Sequence, residues 1–445
     1  MIKLNYTKEK TLSNYINRIS DCRSIEEINV FYDSFIKKYS ELDAQYKFTE
    51  HFNEAYIYEQ IEAHFSTRFN APLFCLPFGV KDIFNSKVLP TSMGSEIWKD
   101  FRPGNNARIL DEIQDRGGII FSKTTTAEFA VHFISPSKTL NPFNKLHITG
   151  TSSSGSAVAV ACGALPIALA TQTAGSITRP SSFCGTFGFK PTFGAIDRTG
   201  VLKTNDTLDT IGLIGSDVNG IKTVFNNILI KSKDYPFSRK YFEQYLNYLN
   251  KPNNKIKLST ITTEFNHFDK YETYVKDDFQ ESITVLENIF QFDKIREVEF
   301  INSIHEIHEN IYAKSLSYYF KNEIKQHEFI SDIMTEMIKE GEKVSTTDYN
   351  KAIQLQPQFR KKFDKIFEDI DFILTPSTAS AAPIIGDNEK PDSSLIWTFL
   401  GYPTISLPLY QNENLKLPFG LQIVAKKYDD FALLDFANKI SKIFN

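Results

Sequence analysis

The sequence predicts an α/β protein in which helices cover a mostly parallel or mixed sheet. Three observations carry the prediction. Short apolar runs at 73–80, 118–121 and 165–170 read as buried strands. Helical stretches lie between them, clearest over 106–116, where Gly117 follows as a C′ glycine. The pattern then returns late in the chain: a helix over 348–367 leads into Phe372-Ile373-Leu374, two further strands are read at 404–409 and 421–425, and an amphipathic helix over 429–444 closes the chain, with Asp429 or Asp430 as its cap. Alternation of this kind is the signature of helices packed on a sheet.

In chain order, residues 1–70 read as polar helices, with Phe52, Tyr56, Ile57, Ile61 and Phe65 at helical spacing. The strand-rich core follows over 71–218. The longest apolar run, 157–170, contains Gly163 and Pro166 and spans 14 residues. A membrane helix needs about 18, so the run reads as buried core. Residues 221–347 carry few glycines and many Lys, Glu, Asn, Tyr and Phe, a mostly helical elaboration that could serve as a lid. Residues 348–445 return to the core. No Gly/Ser linker separates these parts, so one domain with an insertion is expected.

Composition removes several functions. The chain has 445 residues, 41% hydrophobic and 23% charged, ordinary for a globular protein. Fifty Lys+Arg against 54 Asp+Glu leave a net charge of −4, without the basic footprint of a nucleic-acid binder. The N-terminus runs straight into polar residues, with no signal-peptide core. Cys22, Cys75, Cys162 and Cys184 are scattered singly, which suits neither a disulfide framework nor a zinc site. A reducing, cytoplasmic setting is expected. One feature is uneven: 15 of the 20 glycines fall between Gly79 and Gly215, so backbone specialisation is concentrated in one third of the chain.

Three motifs in the chain fail on inspection. His305-Glu306-Ile307-His308-Glu309 spaces its histidines i, i+3, where a zincin needs i, i+4, and so reads as a solvated helix face. Gly150-Thr151-Ser152-Ser153-Ser154-Gly155 has phosphate-loop glycine spacing, but Ser156-Ala157 stand where the loop needs Lys and Ser/Thr. A Gly-x-Ser-x-Gly elbow is absent, and no histidine lies in the serine-rich block.

What remains is a dense Ser/Thr/Gly block over 149–182 and one lysine upstream, Lys81, which ends the apolar run Leu76-Pro77-Phe78-Gly79-Val80. Where no histidine is available, a lysine held neutral by burial can activate a serine. Spacing alone reads more readily as a solvated lysine at a strand end. Ser153, Ser154, Ser156, Ser181 and Ser182 read as loop and helix-cap residues, Cys184 as a small buried core residue, and Lys123 as packing near the sheet edge.

Taken together, these residues resemble the amidase signature family of serine hydrolases. Gly150–Ser156 corresponds to its serine- and glycine-rich hallmark, and Ala174-Gly175-Ser176-Ile177 to the later Gly-Gly-Ser-Ile. Val80-Lys81-Asp82, the stretch from Lys123 to Phe129, Asn141-Pro142-Phe143-Asn144 and Gly188-Phe189-Lys190-Pro191-Thr192 match further motifs in order. Asp371-Phe372-Ile373-Leu374-Thr375-Pro376 and Gly401-Tyr402-Pro403 match later ones, whereas 221–347 matches none. The resemblance implies a mixed, twisted sheet with helices on both faces and a helical insertion. It assigns Ser176 as nucleophile, Ser152 as bridging serine beside a cis peptide, and Lys81 as general base. The amides of Thr173, Ala174, Gly175 and Ser176 would form the oxyanion hole. It calls for no cofactor and no metal.

The implied activity is hydrolysis of a small or acyl-chain carboxamide through a serine acyl-enzyme. Two alternatives stay open: the glutamine-hydrolysing subunit of a tRNA-dependent amidotransferase, and acyl transfer to an amine. The expected partner is a small-molecule amide, with no nucleic acid and no membrane span, and with homodimerisation left open. The sequence also departs from the family pattern. Thr151, Ser154 and Ala174 stand at glycine positions, Gln172 replaces an aspartate that braces the oxyanion turn, and Thr178 displaces an arginine, with Arg179 one place late. Only Gln356 or Arg360 aligns with the arginine that holds a glutamine carboxylate, so a narrow or altered specificity is expected.

Overall fold

The computed structural model describes residues 11–66, 70–131, 138–229, 245–252, 255–260, 268–294, 301, 303–326 and 328–444. Among these residues eleven strands form one sheet: β1 Thr49–Phe52, β2 Pro77–Lys81, β3 Ile119–Thr124, β4 Ile167–Gln172, β5 Phe187–Lys190, β6 Thr210–Gly215, β7 Lys257–Thr260, β8 Gln291–Lys294, β9 Phe372–Pro376, β10 Thr404–Gln411 and β11 Pro418–Ala425. Their spatial order is β1-β3-β2-β4-β6-β5-β10-β11-β9-β7-β8. The sheet is mixed, as expected. β3, β2 and β4 run parallel, β7 runs parallel to β8 and β9, and the centre from β4 to β9 is antiparallel.

Strands β2, β3 and β4 are buried along their whole length, which explains why they appear in the sequence as continuous apolar runs rather than alternating ones. The apolar run at 157–170 splits in two. Its first part belongs to the helix Ser154–Ala161 and its second to β4, with Gly163 at φ +74° and Pro166 making the break. That helix is built of small residues because it lies close against the sheet: a Cβ on Gly155 would stand 2.4 Å from the amide nitrogen of Thr125. Ser153 stands at its N-cap but makes no side-chain cap bond, and Ser156 lies inside it. Ser153 Oγ donates to the Thr171 carbonyl at 3.3 Å and Ser156 Oγ to that of Leu169 at 3.0 Å, tying helix to strand.

On the β3 side, the helix Ile25–Tyr46 starts at Ser24, whose hydroxyl accepts the Glu27 amide. It sets Tyr32, Phe35 and Tyr39 around Phe121 of β3, with ring centroids 6.3, 5.2 and 4.8 Å away. Phe52 is not helical. Asn53 caps the next helix, Glu54–Phe65, and so ends the helical period one residue after Phe52, which pairs in β1 with Ser122.

The region read as mostly helical also supplies β7 and β8, four residues each and too polar to stand out. Its helix Ile304–Tyr319 packs against Asp332–Lys343 and against Thr346–Ile366. Of the two expected cap residues, Asp429 stands at the cap position of the closing helix Asp430–Phe444, its carbonyl accepting the Leu433 amide at 2.8 Å, whereas Asp430 is the first helical residue. Its carboxylate accepts the Thr192 amide at 2.7 Å and the Thr192 hydroxyl at 2.6 Å, clamping the end of β5. Among the described residues no helix is long and apolar enough to cross a membrane.

Phe121 is fully buried at the junction of β3 with the N-terminal helices. Phe121→Ala should lower the unfolding free energy by about 3–5 kcal/mol, read as a drop in the urea midpoint with an unchanged slope. An unchanged midpoint would contradict this packing.

Candidate active site

The carboxyl ends of the three parallel strands converge on one place. Lys81 ends β2, Thr124 ends β3 opposite it, and Thr171 and Gln172 end β4. In open sheets of this kind the loops beyond the carboxyl ends are where chemistry is carried. The loop after β3 and the turn after β4 both arrive there, and the segment Gly150–Ser153 leads into the helix Ser154–Ala161 between them.

Lys81 is fully buried, with Nζ 2.7 Å from Ser152 Oγ and 2.9 Å from Thr171 Oγ1. Burial pushes its amine down to about 7, with Asp209 opposing the shift. Near neutral pH a substantial fraction is therefore uncharged, with a lone pair able to accept the Ser152 proton while an N–H donates to Thr171. The solvated strand-end reading of Lys81 is overturned: the strand end is covered by the helix and by the Ser152 segment. Burial alone does not mark a base, because Lys190 is pushed to about 7 in the same way. Its Nζ meets the main-chain carbonyls of Tyr402 and Pro191, not a hydroxyl.

Ser152 follows a cis peptide bond to Thr151. Its carbonyl accepts the Ala127 amide at 3.3 Å and the Thr126 hydroxyl at 3.2 Å, so the loop after β3 holds the segment from outside. That loop also lines a cleft of about 280 Å³ together with Ser92, Gly94 and Glu128. Ser176 is the partly exposed position in the otherwise buried stretch 171–190.

In the turn 173–176 the carbonyls of Thr173, Ala174 and Gly175 accept from His308 Nε2 (2.9 Å), Thr398 Oγ1 (2.7 Å) and the Arg179 amide (2.9 Å). Among the described residues no protein group accepts the amide N–H of Ala174, Gly175 or Ser176. The next two amides, of Ile177 and Thr178, both donate to Gln172 Oε1, at 2.8 and 2.9 Å. Gln172 thus braces the turn although the charge of an aspartate is gone, and its Nε2 donates to Thr398 Oγ1 at 2.9 Å. Ala174 does not take the left-handed region, so the missing glycine adds no strain there. Thr173 Oγ1 donates to Asp209 at 2.7 Å, and Asp209 also accepts the amides of Thr204 and Asn205.

Several candidates are used elsewhere. Lys123 lies one strand in from the edge, fully buried, with Nζ 2.7 Å from Asp82 and 3.0 Å from Thr91 Oγ1. Cys184 is a buried core thiol facing the Thr149 carbonyl, pushed up by burial. Arg179 pairs with Glu389 at 2.9 Å and Asp392 at 3.0 Å. Gln356 and Arg360 both donate to the Phe399 carbonyl, at 2.9 and 3.1 Å. His308 overturns the reading of its helix as a solvated face. It is 3% exposed and bound to the turn, and no signal in the sequence pointed to it beyond its presence in the rejected metal motif. Among the described residues no cluster of His, Cys, Asp and Glu could hold a metal.

The comparison with known proteins agrees with this architecture. Residues 32–434 match the family model described as Amidase. The chain is 29% identical to a glutamyl-tRNA(Gln) amidotransferase subunit of Clostridium botulinum strain Okra / Type B1, over 81% of this chain and 82% of that one. The native peptide amidase of Stenotrophomonas maltophilia superposes with TM-score 0.81 at 19% identity, covering 98% and 97% of the two chains. A 6-aminohexanoate cyclic dimer hydrolase does so with TM-score 0.84 at 17% identity, with the same coverage. A family match that begins in the first long helix and ends in the last makes this chain a member of the amidase signature family.

Proposed function

We propose that the protein is a serine amidase that cleaves a small or acyl-chain carboxamide through an acyl-enzyme on Ser176. The observation that carries this reading is the buried Lys81 amine 2.7 Å from Ser152 Oγ, beside a turn with unspent amides. In the proposed reaction Ser176 gives its proton to Ser152, and Ser152 gives its own to neutral Lys81. Ser176 Oγ forms a bond to the amide carbon, and the carbonyl oxygen becomes an oxyanion against the N–H groups of the turn, with Thr173, Ala174, Gly175 and Ser176 as its candidate donors. Each such donor contributes on the order of 3 kcal/mol. Collapse breaks the carbon–nitrogen bond as Ser152 protonates the leaving nitrogen and Lys81 returns a proton to Ser152. Water then attacks the ester by the same relay and releases the acid. The reaction calls on no cofactor, and its expected setting is the cytoplasm.

A second reading, glutamine hydrolysis as one component of a tRNA-dependent amidotransferase, is favoured by the likeness to such proteins. Against it, Gln356 and Arg360 are bonded to main-chain carbonyls. A glutaminase assay with and without the partner chains of such an enzyme separates the two. Glutamine turnover only in their presence would select the second reading.

A fluorophosphonate probe should modify Ser176, and Ser176→Ala should abolish the modification. Undiminished labelling of that variant would remove Ser176 as nucleophile. Because Lys81 must be uncharged to act, probe labelling and amide turnover should rise between pH 6 and 8 with a midpoint about 7. Lys81→Ala should lower amide turnover by at least about 100-fold and affect activated esters less. Equal amide turnover by this variant would take Lys81 out of the mechanism.

A further inference from the structure

The turn at 173–176 is backed by side chains from two distant parts of the chain. His308 stands on the helix Ile304–Tyr319 of the variable region, and Thr398 on the helix Ser394–Leu400 near the carboxyl end. Both are buried, 3% and 0% exposed. His308 Nε2 is 2.9 Å from the Thr173 carbonyl oxygen. A carbonyl only accepts, so Nε2 carries the proton, and burial pushes the imidazole down to about 4, which keeps the ring neutral. Thr398 Oγ1 donates to the Ala174 carbonyl at 2.7 Å, shared with the Ser394 carbonyl at 3.0 Å.

In a trans peptide unit the C=O and the N–H point in opposite directions. The Thr173 carbonyl belongs to the same peptide unit as the Ala174 N–H, and the Ala174 carbonyl to the same unit as the Gly175 N–H. A donor behind each carbonyl therefore turns the following N–H away from itself and polarises it, since hydrogen bonds in series strengthen one another by roughly 10–30%. The Thr398 hydroxyl is itself prepared: Gln172 Nε2 donates to it at 2.9 Å, which leaves the threonine proton for the main-chain carbonyls. A carboxylate at position 172 would instead draw that proton to itself.

We propose that His308 and Thr398 are positioning residues that orient and strengthen the Ala174 and Gly175 N–H donors. Through His308 the variable helical region then contributes to the reaction itself. The proposal rests on the reading of Ser176 as nucleophile, so its test first separates the two.

The test follows fluorophosphonate labelling of the intact protein over a range of probe concentrations, which yields a limiting rate and a half-saturation concentration. Labelling of the wild type that is lost in Ser176→Ala establishes the nucleophile. Absence of wild-type labelling, or its persistence in Ser176→Ala, overturns that reading and this proposal with it. With the nucleophile established, His308→Leu and Thr398→Val should each lower the limiting rate by about fivefold, the size of a weakened rather than a deleted oxyanion donor. The half-saturation concentration should stay unchanged. His308→Gln and Thr398→Ser retain a donor and should recover most of the rate. The conservative pair at 398 carries the test if His308→Leu does not fold. Unchanged limiting rates in the Leu and Val variants, a change confined to half-saturation, or no rescue by Gln and Ser would each overturn the proposal while leaving Ser176 in place.

Discussion

The structure turns on one unfavourable placement, a lysine amine removed from water at the end of a central strand. An ammonium there is strongly penalised by desolvation, and among the described residues no carboxylate bonds Lys81 to offset it. Much around the site is consistent with that constraint. Helix Ser154–Ala161, small enough at Gly155 to reach the Thr125 amide, closes over the strand ends. Among the described residues the two groups hydrogen-bonded to Nζ are hydroxyls, which a neutral amine can serve both as acceptor and as donor. Lys123, two strands from β4 and equally buried, shows the alternative solution: Asp82 lies against it, and its role is to hold loops together.

The second constraint is the turn after β4. A run of consecutive carbonyls is engaged from behind while the N–H groups of the same peptides stay unspent, an arrangement that costs free energy in a buried place unless an acceptor arrives. Gln172 is central to it, because its amide can do what a carboxylate cannot. It accepts from Ile177 and Thr178 and still donates to Thr398. The replacement of the expected aspartate thus removes a buried charge without loosening the turn, and Ala174 in place of glycine costs no strained φ.

Much of this is legible in the sequence. Strands β2, β3, β4, β9, β10 and β11 are visible because they are buried along almost their whole length and therefore carry short apolar runs. Lys81, Ser152 and Ser176 are visible through ordered motifs, and the distance between Lys81 and Ser152 is consistent with the roles those motifs imply. Other features leave no local trace. Strand β1 is hidden because Phe52 happens to extend a helical spacing that Asn53 breaks. Strands β7 and β8 are hidden because four residues beside an existing sheet need little apolar content of their own. His308 is hidden because its helix is polar on the faces that meet solvent, and only the tertiary contact with Thr173 shows that this one histidine points inward. The side chains of Ser153, Ser156 and Asp430 make long-range ties rather than cap bonds for the same reason: a short polar side chain in a crowded core is recruited by whichever polar group the fold brings to it.

The central claim is that Lys81 is a neutral amine at working pH. A titration of the protein carrying ¹³C-labelled lysine side-chain methylenes, with Lys81 assigned through Lys81→Met and Lys190 separately through Lys190→Met, tests it most directly. The expected result is a Lys81 signal that titrates with a midpoint about 7 and reports an uncharged amine at pH 8. A Lys81 signal that remains that of an ammonium beyond pH 9 would contradict it.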